Sequence, residues 1–147
     1  MFNLWLNVNL FMKHGAGILL INSSYNEVLL ALRNEPEHVW GNFGGLVEEP
    51  ETFLQCAKRE TLEETGFLEG VHYKLEYQEP IDISEYINFA YHCFLGTVLR
   101  DIKPKLNYEH SVAKWFLLNK LPHDLHFGVK KILLSPEVIK KIESCKK

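Results

Sequence analysis

The segment GLVEEPETFLQCAKRETLEETGF, from Gly45 to Phe67, narrows more than any other what this chain can fold into. Its second half carries helix signals at both ends. Thr52, with Gln55 three residues on, has the form of a capping box, in which side chain and backbone satisfy each other's free groups at the first turn. Gly66 supplies the stop, because glycine enters the left-handed C-terminal conformation without a steric penalty. Between them Phe53, Cys56, Ala57 and Thr61 form an inward stripe. The outer face is acidic. Six glutamates face two basic residues, Lys58 and Arg59, between residues 45 and 67. Glu60, Glu63 and Glu64 stand at i, i+3 and i+4, so a helix sets them on one face, where each like pair costs about 0.2 to 0.5 kcal/mol. Of the three, only Glu63 has a basic residue, Arg59, four positions before it. A solvated helix face explains such a run without any ligand, since glutamate is a good helix former. A divalent cation explains it as well: carboxylate oxygens suit Mg²⁺ and Mn²⁺, and a bound ion turns the local field from repelling an anion to attracting one.

The rest of the chain supplies strands for this helix to pack on. Alternating apolar residues Leu4, Leu6, Val8, Leu10 and Met12 predict an N-terminal strand, free to pair within the chain or across a homodimer. The asparagines that interrupt it, and the lack of an early positive charge, argue against a signal peptide or a membrane span. GAGILLIN and EVLLALR read as two strands joined by a turn at residues 23–26. Residues 34–45, with Pro36 and three glycines, read as a loop without regular structure. VHYKLEY, YINFAYHCFLGTVL and VAKWFLL are further strands. Asp124 or His126 is placed to cap a short helix through Leu134, and Ser135-Pro136 to start another. This order lacks the rhythm of repeated βαβ units and predicts a mixed sheet with helices packed against it, an α+β class. A chain of 147 residues has room for one sizeable core, so residues 1–147 read as a single domain. A net charge of −3 offers no basic field for nucleic acid or an anionic membrane. Three cysteines without metal-type spacing suit reduced thiols in the cytoplasm.

Read outward, the acidic helix belongs to a longer pattern: Gly45, five residues, Glu51, seven residues, Arg59-Glu60, two residues, Glu63-Glu64, one residue, Gly66. Seven such positions would coincide by chance in roughly one chain per million of this length. The pattern resembles the signature of the Nudix (MutT-like) hydrolases, and the likeness in element order runs from about Gly15 to Leu134. The resemblance implies the Nudix fold, an α/β/α sandwich around a mixed β-sheet, and Mg²⁺- or Mn²⁺-dependent cleavage of a pyrophosphate bond in a nucleoside diphosphate linked to another group. Two positions depart from the usual pattern. Thr61 replaces a bulky aliphatic residue, and Phe43 replaces a proline before the glycine pair, which frees Asn42 and sets an aromatic ring beside the site.

The same resemblance implies roles. Glu60 and Glu64, with the Gly45 carbonyl, would be metal ligands, and Glu63 a further ligand or the general base. Arg59 would position carboxylates, pairing with Glu51. Arg33 would contact substrate phosphate, and Glu109 would add a carboxylate near the metals. Trp40 and Phe43 are candidates to flank a base, with packing as the plain alternative. His92 and His110 are candidates near the pocket, again with structural roles as the alternative. Cys56 falls on the apolar side of the helix and reads as core. Nucleoside triphosphates lead the substrate classes, followed by nucleoside diphosphate sugars and dinucleoside polyphosphates. Two other readings remain: a catalytically silent nucleotide-binding domain, which would be expected to lose box carboxylates, and an isoprenoid diphosphate isomerase, which would need a cysteine and glutamate on opposite sides of the pocket.

Overall fold

Two long apolar strands lie side by side and parallel at the centre of a sheet, and everything else packs on them. A computed structural model of the chain describes residues 12–34, 38–86 and 88–146. The strands are β1 (Lys13–Ile21), β2 (Glu27–Arg33), β3 (Trp40–Gly41), β4 (Phe43–Leu46), β5 (Tyr73–Leu75), β6 (Ile81–Tyr86), β7 (Phe89–Val98) and β8 (His110–Leu117). The helices are α1 (Phe53–Thr65), α2 (Phe127–Leu133) and α3 (Pro136–Cys145). β1 runs parallel to β7 from Lys13↔Phe89 to Ile21↔Thr97, and the remaining pairings are antiparallel, which makes the sheet mixed.

β1 is shared lengthwise. Its first half, Gly15 to Ile18, pairs with β4, and its end, Leu20 and Ile21, pairs with β2. Because side chains alternate across a strand, β1 feeds two cores. Ala16, Ile18 and Leu20 face α1, where they meet Cys56 and Ala57 together with Phe43 and Phe94. Leu19 and Ile21 face the other way, toward Val129, Ile132 and Leu133 of α2 and Val138 and Ile142 of α3. Burying each large aliphatic or aromatic side chain contributes about 1.5 to 3 kcal/mol. Helices on both faces of one sheet make the α/β/α sandwich.

α1 is bounded as its residues predict. The Thr52 side chain accepts from the Gln55 backbone, the Gln55 side chain accepts from Thr52 N, and Gly66 ends the helix at φ 79°. Cys56, Ala57 and Thr61 are buried, with Glu64 and Thr65 beyond them, while Phe53 is only half-buried. The region predicted as a loop differs. β3 and β4 form inside it: β3 pairs with the end of β2, and β4 with β1, which offers Gly17 opposite Gly44 and Ala16 opposite Gly45, so two backbones meet with little between them. Tertiary pairing outweighs the poor strand propensity of glycine. β6 is not among the expected strands, and the strand expected over residues 71–77 shrinks to the three-residue β5. The predicted N-terminal strand lies outside the described residues, apart from Met12, as does Pro36. No helix among the described residues is long and apolar enough to cross a membrane.

Candidate active site

β4 brings Gly45 against the second half of α1, and Glu60 and Glu64 converge there. A Cβ added at Gly45 would collide with the Glu60 carboxyl group, so only a glycine lets that side chain lie along the strand. Glu64 accepts a hydrogen bond of 2.7 Å from the Gly44 N–H and is 1% exposed. Burial, with Glu109 as a carboxyl neighbour, pushes Glu64 up to about 9. Burial also raises Glu60, against the pull of Arg59. Unscreened carboxylates are therefore pressed together with too little positive charge to keep them all ionised.

Arg59 is the cation that the protein supplies. Its Nε and Nη2 donate to the two oxygens of Glu51 at 3.0 and 2.7 Å, Nη1 donates to Glu60 at 2.9 Å, and Nη2 also reaches the Leu46 carbonyl at 3.1 Å. The fork-to-fork pair holds Glu51 down at about 2 and fixes the loop onto the helix. Counting positions alone gives Arg59 only Glu63, which it meets at 3.4 Å; the closer partner is the adjacent Glu60. Glu63 is 54% exposed. Among the described residues no three histidine, cysteine or acidic side chains already stand in the arrangement of a metal centre.

A cavity of about 500 Å³ opens beside this cluster. Glu64, Gly44, Gly45, Arg33, Glu109 and His110 line it together with Tyr91, Phe89 and Val129. Arg33 lines the cavity and has no carboxylate partner among the described residues. His110 lies 3.7 Å from Glu64, yet burial and the Arg33 charge lower its pKa, so near neutral pH it is an uncharged ring. Its Nδ1 is buried with no hydrogen-bond partner among the described residues.

Other predicted positions fall elsewhere. Phe43 is fully buried in the core facing α1, its ring edge-on to His110 at 5.6 Å, so it supports the site from behind and does not flank a ligand. The reason is strand parity: Phe43 pairs with Ile18 and shares its inward face. Trp40 packs edge-on against Phe116 at 4.9 Å. His92 stands away from the cavity, stacked on Phe53 at 3.6 Å and hydrogen-bonded to Asp82 and His14. Cys56 is core, its thiol raised to about 12 by burial. Conversely, Asn42, Phe89, Tyr91, Tyr108 and His126 line the cavity, and sequence reasoning passes over them, except that it marks Asn42 as freed by Phe43. The one available signal is the pair Gly15 and Gly17, two small residues on the same face of an otherwise apolar strand.

A glycine strand set against a capped acidic helix, inside an α/β/α sandwich, defines a class of fold that comparison with known proteins identifies. The NUDIX domain model matches residues 12–135, and the chain belongs to that family. An Ap4A hydrolase of C. elegans, solved as a binary complex, superposes with a TM-score of 0.68 at 21% identity, covering 89% of this chain and 94% of that one. A NUDIX hydrolase from Nitrosomonas europaea gives 0.64 at 28% identity, covering 80% and 65%. An ADP-ribose pyrophosphatase from Streptococcus suis gives 0.61 at 16% identity, covering 92% of each. No curated protein matches the chain by sequence.

Proposed function

We propose that the chain hydrolyses a pyrophosphate bond in a nucleoside diphosphate linked to another group, with a nucleoside triphosphate as the leading substrate class. The observation that carries this reading is the convergence of Glu60, Glu64 and Gly45 beside a cavity that Arg33 also lines. The donor set fits a hard divalent cation. Glu60, Glu63, Glu64 and the Gly45 carbonyl offer oxygen only, and burial, with the neighbouring carboxyls Glu109 and Glu60, raises Glu64. Mg²⁺ or Mn²⁺ held there would neutralise phosphate oxygens and lower the pKa of water.

The protein's own groups do the rest. Arg33 draws the polyphosphate into the cavity and fixes it by charge-assisted hydrogen bonds. Arg59 does not itself line the cavity; it holds Glu60 and Glu51 in place. The proton of the attacking water goes to a carboxylate, for which Glu63 at the solvent side and Glu109 in the cavity wall are the candidates. His110, neutral and buried, packs against Phe43 and Glu64 and steadies both without taking charge.

A panel of nucleoside triphosphates, nucleoside diphosphate sugars and dinucleoside polyphosphates, incubated with and without Mg²⁺, tests the reading. The expected products are a nucleoside monophosphate and its phosphorylated partner, formed only with metal. Glu64→Gln should lower turnover by about 100-fold or more with the fold intact. Wild-type turnover in that variant would remove Glu64 from the site. The Ap4A hydrolase likeness supports keeping dinucleoside polyphosphates in the panel, at an identity that speaks for fold alone.

A further inference from the structure

The cavity has an aromatic wall, Tyr91 with Phe89, that the hydrolytic chemistry does not use. It lies on the sheet face opposite α1. There the Tyr91 side chain leaves β7 and crosses its neighbour β1 to reach β4. A Cβ at Gly15 would meet the Tyr91 ring at 3.1 Å, and Cβ atoms at Gly17 and Gly44 would overlap its hydroxyl. Three glycines on two strands thus form a trough, and the phenol ring rests in it. Its outer side lines the cavity, and the residue remains partly exposed.

The ring is also pinned. Asn42, 2% exposed, donates from Nδ2 to the Tyr91 hydroxyl at 2.9 Å and to the Phe43 carbonyl at 3.2 Å. An amide buried in an otherwise apolar face is costly unless it is used. Here its use is to hold one tyrosine. Because the hydroxyl accepts from Asn42, its own proton is free for another acceptor. Phe89, reaching over Gly15, extends the apolar surface beside the ring.

We infer that Tyr91, bedded on Gly15, Gly17 and Gly44 and anchored by Asn42, is the platform on which this cavity stacks the nucleobase of its substrate. The inference rests on the reading of the substrate as a nucleotide. The assignment divides one ligand within one cavity: phosphates to Arg33 and the carboxylates, and the planar ring to the Tyr91 ring, whose hydroxyl end lies against Gly44. An immobilised aromatic loses little freedom when a ligand arrives, so the stacking is pre-organised. Tyr91 binds and orients, and it takes no part in bond breaking.

Calorimetric titration of the whole chain with AMP and with ribose 5-phosphate isolates the base from the sugar phosphate. Wild type should bind AMP about ten-fold or more tightly than ribose 5-phosphate, in keeping with the strength of base stacking on an aromatic side chain. Tyr91→Leu should bring AMP down to the ribose 5-phosphate level and leave ribose 5-phosphate unchanged, while Tyr91→Phe, which keeps the ring, should lose about three-fold at most. Equal affinity of wild type for the two ligands would overturn the inference, and so would an AMP affinity that Tyr91→Leu leaves unchanged. Should that variant fail to fold, wild-type protein still decides. Nuclear Overhauser contacts between the adenine protons of AMP and the Tyr91 ring are expected, and contacts only with other residues would reject the platform. Binding reads the platform and turnover reads the proposed reaction, so the two fail separately.

Discussion

Glycine at 45 is constrained by a carboxylate of the site itself. The Glu60 carboxylate occupies the volume where a side chain would begin, so Gly45→Ala must push that carboxylate away. The strand itself loses nothing that alanine cannot supply. Activity should therefore fall about ten-fold or more while the urea midpoint moves little, and an unchanged kcat/KM would show that Glu60 need not lie there. Glu51 makes a different prediction. Arg59 holds its folded-state pKa near 2, below the ordinary 4.5. The pair's stabilisation is thus fully present above about pH 4.5 and is lost as pH falls toward 2. Glu51→Gln should lower stability by about 1 to 3 kcal/mol at neutral pH and flatten the acid limb of the stability profile. Both effects are read by urea melts across pH, and an unaltered acid limb would mean that the pair is not held in solution.

At the scale of the element, α1 stands on its caps. Thr52→Ala removes one partner of the box and should cost about 1 kcal/mol. Gly66→Ala forces a side chain into φ 79° and should cost about as much. Chemical denaturation of both variants checks this, and a stability equal to wild type would place the helix ends elsewhere. These caps are legible in the sequence because they are local chemistry, with each partner three residues or fewer from the next or fixed by one dihedral. The same holds for the Glu60–Glu63–Glu64 face and for the short helices ahead of Leu134 and after Ser135. What one dimension hides is set by distant partners. β4 exists because Gly17 lies opposite Gly44, far along the chain, and nothing within residues 34–45 announces it. Phe43 follows the same rule. Beside a glycine pair it looks like a ligand contact, and its pairing with Ile18 turns it into the core.

Across the whole molecule, the two cores explain why one cavity can have two characters. The face of the sheet covered by α1 delivers carboxylates, and the face covered by α2 and α3 delivers aromatics. They meet where β4 is too small to separate them. Only the first half is legible in the sequence, since the acidic helix is contiguous, whereas the aromatic half is assembled from β1, β4 and β7. A divalent cation seated between α1 and β4 is what the proposed chemistry cannot do without. Its most direct test is a manganese titration of ¹⁵N-labelled protein, followed through paramagnetic broadening of backbone amide signals. Gly44, Gly45, Glu60 and Glu64 should broaden first at substoichiometric Mn²⁺, and the effect should weaken strongly in Glu64→Gln. Broadening that begins at another surface, or that is the same in the variant, would contradict that seat for the metal.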